Sequence, residues 1–154
     1  MTVVTDIARA GVGFKSMLGD MGMGVMLQVS GSTSTLLGAF FLGMSDAVEE
    51  KTELDASGVR QMFSGGLANV QAQTQAKDAL IPAIEAMENC HSDDIQQLLE
   101  AGANAALRGA ESTVQMKANF GRARNYGERS IGFADSGATS WSCMFQAFAQ
   151  SFKE

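Results

Sequence analysis

One segment near the C-terminal end combines the residue types that hold an anion. Residues 121–132 are rich in glycine and charge, and their arginines are Arg122, Arg124 and Arg129. A guanidinium fork matches phosphate oxygens, and the helical pattern that starts near Asp135 would add backbone N–H groups that attract an anion. The segment therefore predicts a phosphate or ribose site. The structural alternative is that Glu128 pairs with one arginine and the loop only connects two helices.

A second segment has the composition of a phosphate cradle. Residues 29–34 read Val-Ser-Gly-Ser-Thr-Ser and directly precede a helical pattern. Backbone N–H groups at a helix start have no intrahelical acceptor and can bind phosphate. The same residue types also cap helices in many proteins, so capping alone would explain them.

The sequence shows no arrangement typical of nucleophilic catalysis, and no catalytic residue is assigned. There is no Ser/His/Asp set, no paired cysteine motif and no Walker-type glycine loop. The single histidine, His91, lies in a polar turn and is expected to be exposed and inert. Cys90 and Cys143 are far apart in sequence, which predicts reduced thiols packed in the interior.

Charge and hydropathy exclude two classes of partner. The net charge of −6 argues against a nucleic-acid surface, which needs clustered Lys and Arg. Residues 21–45 carry no charge, but hydroxyls and glycines fill their centre and would be poorly satisfied in lipid.

Charges at Asp6, Arg9 and Lys15 interrupt the N-terminal region, so no signal peptide is expected. We expect a cytoplasmic protein with no membrane segment.

Helices must position these segments, because apolar residues recur at helical spacing and strand signals are few. At 154 residues we expect one domain. A glycine-tolerant, closely packed helix is expected before Ser30, Pro82 should lie in a first helical turn, and Ser92 should cap a helix. The aromatic stripe from Trp141 to Phe152 indicates core or an oligomer interface. The five clearest helical patterns are 36–48, 59–70, 80–87, 98–114 and 141–152.

Three stretches together resemble the L subunit of dihydroxyacetone kinase. They are residues 31–41, residues 110–116 and residues 121–140, which contain Gly-Arg-Ala, then Gly-Glu-Arg-Ser-Ile-Gly, then Asp-x-Gly-Ala-Thr-Ser. The resemblance covers most of the chain from about Gly22 onward. It implies an all-α fold, an antiparallel up-and-down helical barrel that here lacks the first helices, and a nucleotide, ADP or ATP, held at one end of the barrel. It also implies a partner, a K-type subunit that binds dihydroxyacetone.

The resemblance assigns nucleotide-binding residues by position. In the family, the loop that matches Ser32 and Thr33 contacts the phosphates, and Arg122 matches the arginine of the nucleotide loop. An Asp-Pro-Gly motif lines the nucleotide pocket, and it corresponds to Asp135, Ser136 and Gly137. Serine replaces the proline here, which predicts a less rigid loop.

Two departures concern the metal and the lid. Family members hold two Mg²⁺ ions with a Gly-Asp-x-Asp-x-Gly-like motif, and on the preferred register this sequence begins after it. A rival register places residues 19–24 on the motif, but it keeps one carboxylate, Asp20, and needs a deletion. The family's Gly-Asp-Lys-Thr loop is shortened here to residues 72–75, which predicts an altered lid over the base.

The sequence is compatible with three functions. The first is a degenerate L-type domain that binds or regulates without catalysis, because the metal ligands are missing. The second is an active kinase component whose metal ligands come from another chain or a K-type partner. The third is a non-catalytic helical module that binds a small molecule or a protein. A barrel without its first helices would leave Phe40, Phe41, Phe145 and Phe148 uncovered, so a homodimer is expected in each case.

Overall fold

The computed structural model describes residues 13–29, 31–74, 78–119 and 122–151, without the side chains of Ser32, Thr33 and Arg122. Within these ranges the secondary structure consists of α-helices and short 3-10 helices, with no strand. The all-α prediction is therefore confirmed. The helices form two compact units, Met1–Gln75 and Ala76–Glu154.

Three antiparallel helices make up the described part of the first unit, α1 (Phe14–Gln28), α2 (Ser32–Asp46) and α3 (Ala56–Gln71). The Lys15 ammonium, at the start of α1, donates to the carbonyl of Ser45 at 3.2 Å near the end of α2. Late in α3, the Asn69 amide donates to the Ala39 carbonyl of α2 at 2.7 Å. Each neighbouring pair is thus joined by a side chain that satisfies a backbone carbonyl.

Glycines let these helices approach closely. A Cβ on Gly22 would lie 2.9 Å from the Gly38 carbonyl oxygen, and a Cβ on Gly65 would lie 2.6 Å from that of Gly43. Real Cβ atoms do not come this close to backbone oxygens, so α1 and α3 each press on α2 through a glycine. The predicted glycine-tolerant helix before Ser30 is confirmed as α1.

The loop between α2 and α3 is rich in charged residues and supplies two caps. The Asp55 carboxylate accepts from the Gly58 amide at 2.7 Å and caps α3. The Glu50 carboxylate accepts from the Ser16 amide at 3.0 Å in the first turn of α1. A hydrogen bond and the charge of Lys51 lower the pKa of the exposed Glu49 carboxyl.

The second unit contains α4 (Leu80–Asn89), α5 (Ile95–Ser112) and α6 (Ser136–Ser151). Two 3-10 helices, Thr113–Gln115 and Arg122–Ser130, follow α5. A Cβ on Gly102 of α5 would meet Met87 of α4 and Phe145 of α6, so this glycine lies where the three helices meet. The Gln146 amide donates to the Ala103 carbonyl at 3.3 Å and joins α6 to α5.

The cores correct the prediction that apolar faces lie uncovered. Phe40 and Phe145 are fully buried, Phe41 is 6% exposed, and Phe148 is half-buried. Phe40 is covered because α3 packs on it, with the Phe63 ring centroid 6.1 Å away. The homodimer therefore loses its argument from exposed phenylalanines and stays a prediction.

Several local predictions can also be compared with the structure. Pro82 lies in the first turn of α4, as predicted, and His91 is exposed. Ser92 as the helix cap is wrong, because Asp94 takes that position and its carboxylate accepts from the Gln96 amide at 2.8 Å. Cys143 is exposed, so the prediction that both thiols are interior is wrong for it, and Cys90 is half-buried. The end of the aromatic stripe, Phe152, is outside the described residues.

No helix in the described ranges is both long enough and apolar enough to cross a bilayer.

Candidate functional site

The glycine and hydroxyl segment of the first unit leads into α2 at Gly31. Gly31, the N-cap residue, has a φ of 126°, which L side chains rarely adopt. The Ser34 hydroxyl is within hydrogen-bond distance of two carbonyl oxygens in the turn, 2.8 Å from Val29 and 2.6 Å from Gly31. Ser34 is only 7% exposed, so this contact stabilises the turn from the inside.

This turn leaves the start of α2 suited to an anion. Ser32 and Thr33 are the first two helical residues, and the first turn of a helix has N–H groups without intrahelical acceptors. Gly31 has no side chain that could cap them, and the Ser34 hydroxyl faces carbonyls instead. The positive end of the helix dipole adds to the attraction. The phosphate-binding role that the family resemblance gives to Ser32 and Thr33 stays a prediction.

The arginine segment of the second unit is an ordered 3-10 structure. Its helix, Arg122–Ser130, bends at Gly127, where φ is 58° and ψ is −130°. The buried Ser130 hydroxyl donates to the Gly127 carbonyl at 2.6 Å and accepts from the Ala118 amide at 2.9 Å. The Gly132 amide donates to the Val114 carbonyl at 2.7 Å. The bonds to Ala118 and Val114 tie the C-terminal end of the segment to the residues that follow α5.

Asp135 acts as the N-cap of α6. Its carboxylate accepts from the Ala138 amide at 2.7 Å, and its carbonyl accepts from the Thr139 amide at 2.9 Å. Its own amide donates to the Thr113 hydroxyl at 2.8 Å. A Cβ on Gly137 would lie 3.0 Å from the carboxylate oxygen, so a glycine here gives the cap its room. Because one carboxylate oxygen caps the helix, Asp135 has a structural role, and any contact with a nucleotide would be a second role.

The arginines stand out electrostatically from the rest of the chain. Residues 116–133 hold four of the 11 Lys and Arg residues but one of the 17 Asp and Glu residues. Arg124 and Arg129 are exposed, and neither forms an ion pair with Glu128 among the side chains that the structure describes. The structural alternative for the loop therefore does not hold for these two arginines. A positive segment on an acidic protein favours an anionic ligand.

The predicted site residues divide between the two units. Ser32 and Thr33 belong to the first, whereas Arg122, Asp135, Ser136 and Gly137 belong to the second. Asp20 lies exposed in the middle of α1, whose Gly22 packs on α2. In the described part of the chain, no group of three His, Cys, Asp or Glu side chains could hold a metal ion.

Three buried hydroxyls that support these segments were not predicted, Ser34, Thr113 and Ser130. A signal existed for Thr113, because it continues the buried stripe that runs through Ala103, Ala106 and Ala110. A hydroxyl on an apolar stripe needs a hydrogen-bond partner, which indicates a structural contact.

Comparisons with known proteins identify the family of this chain. A family model described as the DAK2 domain matches residues 3–150. The ADP-binding subunit DhaL of the PEP-dependent dihydroxyacetone kinase of Escherichia coli is 33% identical over 157 residues, covering 96% of this chain and 74% of that protein. A Listeria innocua protein, the ADP-binding subunit DhaL of PEP-dependent dihydroxyacetone kinase 2, is also 33% identical, with 94% and 68% covered. The D-erythrulose kinase of Mycolicibacterium smegmatis is 29% identical over 141 residues, which are 24% of its length.

The chain therefore belongs to the DAK2 domain family and is a DhaL-type nucleotide-binding domain homologue.

The serine in place of the family's proline yields a first prediction. Ser136 is exposed and is the first helical residue of α6, where a proline loses no intrahelical hydrogen bond. We expect Ser136→Pro to keep the fold and raise the free energy of unfolding by up to about 1 kcal/mol, because proline restricts the unfolded chain. Chemical denaturation of the variant and of Ser140→Pro, one turn into α6, measures the effect. If Ser136→Pro lowered the free energy of unfolding as much as Ser140→Pro, the placement of Ser136 as the first helical residue of α6 would be contradicted.

Proposed function

We propose that this chain binds ADP or ATP as the L-type component of a short-chain hydroxyketone kinase. The phosphates would lie at the start of α2, near Ser32 and Thr33. In the second unit, Arg122 would supply a guanidinium to the nucleotide, and Asp135, Ser136 and Gly137 would line its pocket. A K-type subunit would bind dihydroxyacetone and present it for phosphorylation.

The observation that carries this proposal is the ordered, cationic 3-10 segment next to the capped start of α6. Arg124 and Arg129 remain free of ion pairs with Glu128, and the segment is tied down by Ser130 and by the Gly132 amide. An ordered site binds more tightly than a mobile one because less conformational entropy is lost. The relatives named as ADP-binding subunits give the ligand class.

We also propose that these 154 residues do not catalyse phosphoryl transfer by themselves. Asp20 is the one carboxylate between Asp6 and Asp46, and it lies in a helix that packs on α2 through Gly22. Phosphoryl transfer relies on metal ions that neutralise phosphate charge and orient the reacting groups. In an acidic protein, one carboxylate on the side of a packed helix is a poor substitute for a cage of carboxylates.

Titration calorimetry with ADP, in the presence and absence of Mg²⁺, tests both parts. Saturable ADP binding that changes little with Mg²⁺ is expected. Tight ADP binding only with Mg²⁺ would contradict the second proposal, that these residues lack the metal ligands for phosphoryl transfer, and would favour an active kinase component. No ADP binding, even with a K-type subunit added, would reject the nucleotide proposal and leave a helical module with another ligand.

A further inference from the structure

The buried hydroxyl of Thr113 joins the end of α5 to the start of α6. It donates to the Ala110 carbonyl at 2.6 Å and accepts from the Asp135 amide at 2.8 Å. The residue is 4% exposed. The hydroxyl donates its hydrogen to α5 and accepts from the Asp135 amide with its oxygen, so both of its hydrogen bonds are made within the protein.

These two bonds are not equivalent for the protein. The Ala110 carbonyl also accepts from the Thr113 backbone amide at the end of α5, so it keeps a partner without the hydroxyl. The Asp135 amide, in contrast, donates to the Thr113 hydroxyl and would lose this acceptor. Removing the hydroxyl would therefore act mainly on Asp135, whose carboxylate and carbonyl hold the first turn of α6.

We propose that Thr113 is a positioning residue for nucleotide binding, because its hydroxyl holds Asp135 and thereby the pocket residues Ser136 and Gly137. This inference rests on the proposed function. Thr113 does not touch the ligand in this account. It fixes the backbone at Asp135, so that the segment after the 3-10 helix meets the nucleotide already ordered.

Two substitutions separate the hydroxyl from the packing of the side chain. Thr113→Val keeps the shape and removes the hydroxyl, whereas Thr113→Ser keeps the hydroxyl and removes a buried methyl group. We expect Thr113→Val to weaken ADP binding about tenfold in titration calorimetry, and Thr113→Ser to stay within about twofold of the wild type. If Thr113 had only a structural role, ADP affinity would fall in proportion to the loss of stability in each variant. Thr113→Ser would then also weaken ADP binding, because losing the buried methyl group lowers stability.

A matched control comes from the first unit. The Ser45 hydroxyl is 7% exposed and donates to the Lys15 carbonyl at 2.8 Å. Ser45→Ala should lower stability without changing ADP affinity. Full affinity in Thr113→Val, or an equal loss in Thr113→Ser, would overturn the positioning role.

Amide hydrogen exchange distinguishes a failure of this inference from a failure of the proposed function. Thr113→Val should exchange faster than the wild type at the Ala138 and Thr139 amides, with or without ADP. Unchanged exchange there would overturn the positioning role even if ADP binds. Absence of ADP binding in the wild type would instead overturn the proposed function.

Discussion

Replacing Gly65 by alanine should lower the free energy of unfolding by about 3 kcal/mol, although alanine is the better helix former. A Cβ at this position would meet the Ala47 methyl group and lie 2.6 Å from the Gly43 carbonyl oxygen. The oxygen belongs to a helix backbone and cannot rotate away. The helices α2 and α3 would have to separate, and the packed pair Phe40 and Phe63 would loosen with them.

Gly58→Ala provides a control in the same helix. The atoms nearest to a Cβ there belong to the side chains of Leu54 and Asp55, at 3.2 Å and more, and these can adjust. We expect the free energy of unfolding of this variant to lie within about 1 kcal/mol of the wild-type value, since the helix propensity of alanine offsets a small movement of these side chains. Chemical denaturation of both variants measures the difference. If Gly65→Ala were as stable as Gly58→Ala, the close approach of α2 and α3 would be contradicted.

Replacing Arg122 by alanine should weaken ADP binding by about 10- to 100-fold, which corresponds to the loss of one charge-assisted contact to phosphate. The expectation follows from its family-matched position at the start of the Arg122–Ser130 helix. Arg122→Lys should recover part of the affinity, because an ammonium keeps the charge but lacks the planar fork.

Arg108→Ala is the charge-matched control for Arg122→Ala. Arg108 is exposed on α5, outside the 3-10 segment, so its removal changes net charge without a predicted phosphate contact. We expect ADP affinity within about twofold of the wild type. Equal losses in Arg108→Ala and Arg122→Ala would show that the overall field, and no particular contact, governs binding.

Helices were predictable because each buries one face and so repeats its apolar residues at helical spacing. Leu98, Leu99 and Ala103 mark α5 in this way, and all three are buried. Helix ends were harder to predict, since Ser92 and Asp94 are both good caps and only the backbone geometry selects Asp94. The covering of Phe40 could not be inferred either, because it depends on how closely α3 approaches α2.

The site was predictable as motifs and not as a structure. Glycine, arginine and hydroxyl patterns located residues 29–34 and 121–137, but they did not show that Asp135 caps α6. A carboxylate at a helix start is equally suited to capping and to ligand binding, and the bond to the Ala138 amide distinguishes the cap. Thr113 and Ser130 were missed because a sequence does not show which distant amide a hydroxyl will meet.

Amide chemical shifts during an ADP titration test the central claim most directly. At 154 residues the chain suits two-dimensional NMR, and the first unit offers an internal comparison. The first unit has a polar cleft of about 590 Å³, lined by Asp46, Lys51, Asp55 and their neighbours. None of the predicted site residues lines this cleft. We predict saturable shifts at residues 31–34 and 124–138. Shifts confined to the cleft, or no shifts at all, would contradict a nucleotide site at these two segments.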